Sequence, residues 1–390
     1  MSSQSEATEA GVGPNRILVT EPTYADSEHA AVNAGLLEAI AIGCGAPIFA
    51  STRKQHDAVR EAGNPEMLPR QWHELAVTPP GGVHLRRMFA QWRALAPQVA
   101  EHQPAVLVLL SAGPETLFVA RLLVLRHPTL RILAVMHGNL ATAIGWRSRD
   151  PRRRLIDLRA GLRAVRHARI RLVVLEEHIR EAAIRHGLGR DFVVWPLVVL
   201  ENEMIDPAQW TPPARLRLAF VGTANRHKGF GDFLALRDHI HMNRALVSCD
   251  LAVVGRPSAE YDATALDGIE VPAQRLPRAG FLGALRRADY AFVAFRGEYE
   301  LTASGSLLDC INQRKPLIAV RNHMLTALER QHGPIGYLCD DLAGVCALFD
   351  DTAALRDTAA YAIFQRTLDS IARSRLPRAL AGAVKRSLEW

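Results

Sequence analysis

Short apolar runs alternate with longer amphipathic stretches along nearly the whole chain. Arg16–Thr20, Pro47–Ser51, Ala105–Leu110, Arg131–Met136, Arg171–Leu175 and Phe192–Trp195 have the length and aliphatic content of buried strands. Between them, Ala30–Ile42, Leu85–Val99, 115–126, Arg152–Ala168 and Glu177–His186 read as helices. Residues 52–63 read as loop and helix, and the Pro-, Trp- and Gly-rich segment 64–82 as an irregular excursion. Residues 199–214, with Asp206-Pro207 and Thr211-Pro212-Pro213, break the rhythm and predict a linker. The alternation then restarts, with strands at Leu216–Val221, Cys249–Val254, Gly268–Val271, Tyr290–Phe295 and Leu317–Val320. Helices are expected at 229–240, Gly280–Arg287 and 324–331, a loop at Gly333–Asp341, and helices again through 342–388. Strands alternating with helices imply parallel sheets of the α/β class, here in two α/β halves. The expected organisation is a disordered tail (1–14), a first domain (15–198), the linker (199–214), a second domain (215–370) and a C-terminal helix (371–390).

Composition narrows the picture. A chain of 390 residues with 48% apolar content is long enough for two or three domains with substantial cores. The formal net charge is +7, but nearly all of the positive charge is arginine; lysine stands only at 54, 228, 315 and 385. That skew reads as a coding bias and weakens the argument for nucleic acid, as do the few aromatic residues. Cysteines 44, 249, 310, 339 and 346 have no metal-ligand spacing and fit a reduced, cytoplasmic chain. No Asp-x-Asp motif and no His/Cys cluster appears in the linear sequence, so neither metal nor cofactor is expected. The acidic N-terminal segment does not read as a signal peptide, and no apolar run approaches the ~18 residues that span a bilayer.

The stretch Glu298–Val320 carries the most chemistry. Acidic residues, including Glu298 and Glu300, lead into the turn Thr302-Ala303-Ser304-Gly305-Ser306; a helix-compatible run follows, and Lys315-Pro316 opens a strand. Ser304, Gly305 and Ser306 can present amides and hydroxyls at a helix N-terminus, which favours an anion such as phosphate. Asp309, one turn further on, is placed to accept hydrogen bonds from a sugar or ribose hydroxyl. A Ser-capped helix with solvent-facing carboxylates is the plainer reading of the same residues.

Three more constellations lie at strand ends, and one along a helix. Phe220-Val221-Gly222 ends a strand ahead of Asn225-Arg226-His227-Lys228-Gly229, where Gly222 lets backbone approach a ligand and Lys228, with Arg226, can neutralise a diphosphate. His137-Gly138-Asn139 follows another strand, so His137 can face a ligand as a base or a hydrogen-bonding group; a structural histidine reads equally well. Tyr24–His29 after the first strand reads as an acceptor-lining segment or an ordinary loop. Arg147, Arg149, Arg152, Arg153, Arg154, Arg159, Arg163 and Arg166 form either a solvated face or a surface drawn to an anionic membrane or lipid pyrophosphate.

In the order of its motifs the chain resembles glycosyltransferases with two Rossmann-like domains, and family 4 in particular. That family carries an acid, a Gly-bearing turn, a second acid and Gly-Lys-Pro before a strand; Asp309, six residues before Lys315, has the spacing of the second acid. Gly222, Lys228 and Gly229 match its Gly-Arg-x4-Lys-Gly sequence, with Thr223 at the Arg position and Arg226 as a substitute. Leu301 stands where the family has its first acid, flanked by Glu298 and Glu300. The resemblance implies the GT-B architecture, two domains facing across a cleft, with the acceptor held by the first and a nucleotide-sugar by the second. It implies donor binding by Gly222, Arg226, Lys228, Ser304, Gly305, Ser306 and Asp309, and catalytic roles for His137 and Glu300. The expected activity is metal-independent transfer of a sugar to a glycan, lipid-linked or small-molecule acceptor, with peripheral contact to an anionic membrane. A nucleotide-sugar epimerase on the same fold and a non-catalytic nucleotide-sugar-binding protein are the alternatives.

Overall fold

The structure is a computed structural model that describes residues 17–27, 29–77, 84–145, 156–189, 191–242, 249–262 and 264–390. The expected tail 1–14, Arg16, Glu28 and arginines 147, 149 and 152–154 lie outside the described residues, as does the side chain of Glu298. Packing divides the chain into two compact units, one reaching Leu200 and including Arg375–Trp390, the other spanning Glu201–Ser374.

The first unit is built on a parallel sheet of strands β1 (Ile17–Thr20), β2 (Ile48–Ser51), β3 (Gln71–Glu74), β4 (Val106–Leu109), β5 (Arg131–Val135), β6 (Ile170–Val174) and β7 (Phe192–Val194). Their spatial order is β3-β2-β1-β4-β5-β6-β7, so the direction of winding reverses between β1 and β4. The helices between them are α1 (Ala30–Cys44), α2 (Arg53–Ala62), α3 (His84–His102), α4 (Pro114–Arg126), α5 (Thr142–Gly145), α6 (Leu158–Ala164) and α7 (Glu177–Arg185). Strands β1, β2 and β4 are buried along their whole length, as expected where helices cover both faces of a parallel sheet.

The second unit repeats the plan with β8 (Leu216–Ala224), β9 (Cys249–Pro257), β10 (Ile269–Glu270), β11 (Tyr290–Val293), β12 (Leu317–Val320) and β13 (Gly336–Cys339) in the order β10-β9-β8-β11-β12-β13. Its helices are α8 (Phe230–Met242), α9 (Arg278–Arg286), α10 (Gly305–Asn312), α11 (His323–His332), α12 (Leu342–Asp350) and α13 (Thr358–Ser374). Here the winding reverses between β8 and β11. One face of this sheet is packed by Phe220, Phe230, Phe233 and Phe292, the other by Leu285, Leu307, Ile311 and Leu368.

Helix α14 (Pro377–Leu388) closes the chain within the first unit. It lies against α1 so tightly that a Cβ on Gly43 would stand 2.7 Å from the Ala381 carbonyl oxygen. Trp195 Nε1 donates to Ser387 Oγ at 2.9 Å, and the Arg171 guanidinium covers the ring of Trp390 at 4.7 Å.

Two edge strands correct the sequence reading. β3 falls in the segment expected to be irregular, and β13 in the expected loop Gly333–Asp341. Both are four residues long and only partly buried, so neither shows the continuous apolar run that marks a central strand. Among the described residues no helix is long and apolar enough to cross a membrane.

Candidate functional site

In open parallel sheets, ligands bind beyond the carboxyl ends of strands where the winding reverses. In the second unit that point lies between β8 and β11, and the segments leaving these two strands carry the donor-site candidates. The 3₁₀ turn Arg226–Lys228 follows β8; Asn225 caps it, its side chain accepting from the Lys228 amide at 2.9 Å. Gly229 ends the turn at φ 77°, where a Cβ would stand 2.1 Å from the Ala294 carbonyl oxygen just beyond β11. The turn is thereby pressed against the neighbouring strand end, and Lys228 points back toward α10. Its Nζ donates to Ser306 Oγ at 2.8 Å.

Ser306 lies in the first turn of α10. Ser304 is the N-cap, accepting from the Leu307 amide at 3.2 Å, and Gly305 is exposed with open space where a Cβ would be. Gly222 completes the arrangement: at φ 98° it adopts a conformation that favours glycine, and a Cβ there would be 2.3 Å from Ser306 Oγ and 2.7 Å from Lys228 Nζ. The fold therefore joins an ammonium, a hydroxyl, a helix N-terminus and a bare stretch of backbone. Such a combination is one that favours an anion. Burial lowers the pKa of Lys228, and nearby Asp309 acts in the opposite sense.

Not every sequence candidate joins this group. Asp309 lies within reach of the lysine's field but is ion-paired to Arg278 at 2.7 Å, and Arg278 Nε donates to Glu203 at 2.7 Å. Burial raises the pKa of Asp309, with Arg278 opposing it. Arg226 is exposed and, with His227, Gly229 and Arg296, helps to line a cavity of about 620 Å³. Glu300 is half-buried at the end of the 3₁₀ turn Gly297–Glu300, and the neighbouring Leu301 is buried at 3% exposure. Lys315 donates to the carbonyls of Arg286 and Ala288, so it caps the end of α9.

The first unit has its own polar group at the reversal between β1 and β4. Glu21, fully buried just past β1, accepts from the Thr23 and Tyr24 amides at 3.0 and 3.1 Å and from Ser111 Oγ at 2.7 Å. Burial pushes its pKa up to about 6 despite these donors. His137, after β5, stacks on His29 with ring centroids 4.2 Å apart, and Tyr24 meets His29 edge-on at 4.6 Å. Burial brings His29 down to about 4 and His137 well below its usual value, so both rings are neutral at pH 7. His29 Nδ1 and His137 Nε2 are covered and have no hydrogen-bond partner among the described residues.

Sequence reasoning missed Glu21, Ser111, Arg278 and Glu203. Glu21 and Ser111 did carry a signal, since both stand within two residues of the end of a buried strand, as His137 does. Arg278 and Glu203 reach the site from distant segments with no local pattern. The linear sequence also lacks a His/Cys cluster, yet the fold assembles His73, Glu101 and His102 into one group. Of the basic run, Arg159 and Arg163 donate to the Ala143 and Arg159 carbonyls, while Arg163 and Arg166 are exposed.

No family model and no curated protein sequence matches the chain. Solved structures do. The chain is similar to sucrose-phosphate synthase from Thermosynechococcus elongatus (TM-score 0.67, 13% identity, covering 95% of this chain and 97% of that one). It is also similar to a glycosyltransferase from Rickettsia africae (TM-score 0.65, 11% identity, 96% of each chain). A third is UDP-GlcNAc 2-epimerase from Neisseria meningitidis bound to UDP-GlcNAc (TM-score 0.56, 9% identity, 96% of this chain and 98% of that one). At these identities the likeness establishes the fold: two parallel α/β units of the GT-B kind.

Proposed function

We propose that this protein is a glycosyltransferase whose second unit holds a nucleotide-sugar by its diphosphate. The observation that carries this reading is the Lys228 Nζ–Ser306 Oγ contact at the N-terminus of α10, beneath the bare backbone of Gly222. The kind of protein found among its structural neighbours supports it. In the reaction, the bond between the anomeric carbon and the diphosphate oxygen breaks, and its electron pair stays on the diphosphate. An acceptor hydroxyl oxygen bonds to the anomeric carbon and gives up its proton. Lys228, Ser306 and the first amides of α10 stabilise the charge gathering on the leaving group, with no divalent ion required of them. His137, neutral at pH 7, is assigned to receive or orient the acceptor proton, and Glu300 to the sugar half of the donor.

The epimerase reading has a specific observation in its favour, the similarity to UDP-GlcNAc 2-epimerase. A non-catalytic binding protein is favoured by the buried Leu301 at the family's first acidic position. Release of nucleoside diphosphate from a panel of nucleotide-sugars, with and without acceptors, separates the three. The acceptors should include soluble glycans and a lipid pyrophosphate in anionic vesicles. A transferase releases nucleotide in step with acceptor glycosylation, an epimerase yields free sugar or an isomer without acceptor, and a binding protein does neither.

A further inference from the structure

His73 lies on the edge strand β3, and Glu101 and His102 are the last two residues of α3. Among the described residues these three form a group whose ligand-capable atoms all lie within 4.8 Å of one another. The two imidazoles meet edge-on, with centroids 4.3 Å apart and planes at 66°. His102 Nε2 is covered from solvent and has no hydrogen-bond partner among the described residues. A buried ring nitrogen left without a partner is unfavourable unless something else satisfies it. Gln103 leaves the helix at φ 42° with its amide still bonded to the Val99 carbonyl at 3.0 Å, so the last turn, which carries two of the three side chains, is closed.

From this arrangement we propose that His73, Glu101 and His102 bind a first-row divalent cation, zinc ahead of the others. Two imidazole nitrogens and one carboxylate oxygen suit a borderline cation, whereas calcium and magnesium prefer all-oxygen sets. Two ligands on a tetrahedral zinc stand about 3.3 Å apart, given metal–nitrogen distances near 2.0–2.1 Å. Closing the site from separations of at most 4.8 Å requires each ligand atom to move by little more than about 1 Å, and a fourth position stays open to water. Its role is structural: it ties the edge strand to the end of α3 and closes the chain between residues 73 and 101. The cation lies outside the Lys228–Ser306 group and takes no part in sugar transfer.

The test uses the full chain without an affinity tag, stripped with chelator and then titrated with zinc chloride by calorimetry. One equivalent should bind, and saturating zinc should raise the melting temperature. His73→Ala and His102→Ala should each weaken zinc binding by more than the roughly tenfold to hundredfold lost with an outer-shell partner of a metal. Glu101→Gln should weaken it less, and all three should keep wild-type far-UV circular dichroism without metal. Cobalt in place of zinc should give visible absorption that disappears in His73→Ala. No zinc binding, or stoichiometric binding unchanged in both histidine variants, would overturn the proposal.

Discussion

Lys228 faces two demands, because burial disfavours its charge while the proposed diphosphate site needs that charge. The opposing field of Asp309 helps to retain it, a purpose separate from the proposed contact with a ribose. The carboxylate already holds Arg278, so a ribose hydroxyl would share it. Asp309→Ala should therefore weaken binding of nucleotide-sugar and free nucleoside diphosphate alike. Glu300→Gln should slow turnover and leave diphosphate affinity nearly unchanged, because Glu300 is proposed to act on the sugar half. Measured kcat and diphosphate Kd for both variants check this; full turnover in Glu300→Gln would make Glu300 a bystander. Glu21 supplies a pH test in the first unit. Its folded-state pKa of about 6 exceeds the unfolded value of 4.5, so the folded protein holds the proton longer, and stability is lost as pH rises through that window. Glu21→Gln mimics the protonated form. Its stability relative to wild type should rise between pH 4.5 and 6 by about 1–2 kcal/mol, as read by denaturant melts at each pH. A pH-independent difference would mean that Glu21 titrates like a free carboxylic acid.

At the scale of elements, the two reversals of winding organise the protein, and the glycine at the end of β8 shows how tightly. A Cβ on Gly222 would occupy the space of Ser306 Oγ and Lys228 Nζ, and the residue would also keep an unfavourable positive φ. Gly222→Ala should cost about 1–3 kcal/mol of stability and reduce diphosphate affinity by part of what Lys228→Ala loses. Thermal melts with and without nucleoside diphosphate test both. Central strands were legible in the sequence because burial on both faces writes them as unbroken apolar runs. β3 (Gln-Trp-His-Glu) and β13 (Gly-Tyr-Leu-Cys) were not, because an edge strand needs apolar residues on fewer sides. The same logic separates the site residues. Gly222, Lys228 and Ser306 could be read from local turn chemistry, and the fold joins them. Arg226 shares their segment but is exposed and lines a cavity with His227 and Arg296, and Glu203, Arg278 and the pair Glu21–Ser111 depend on tertiary approach.

At the scale of the molecule, structural likeness at 9–13% identity means that the backbone plan is shared while few of the side chains are. Function must then be argued from the site. The leaving group's charge is assigned to side chains and a helix terminus, so transfer should survive chelation at 25 °C even where removal of a bound cation lowers the melting temperature. Loss of turnover restored by magnesium or manganese would contradict that assignment. The most direct test of the central claim is calorimetric titration of nucleoside diphosphate into the wild type and Lys228→Ala, with matched circular dichroism. A charge-assisted contact of this kind contributes about 1.5–3 kcal/mol, so the variant should bind roughly tenfold to hundredfold more weakly, to the diphosphate and to its sugar conjugate equally. Unchanged diphosphate affinity in a folded Lys228→Ala variant would contradict the account.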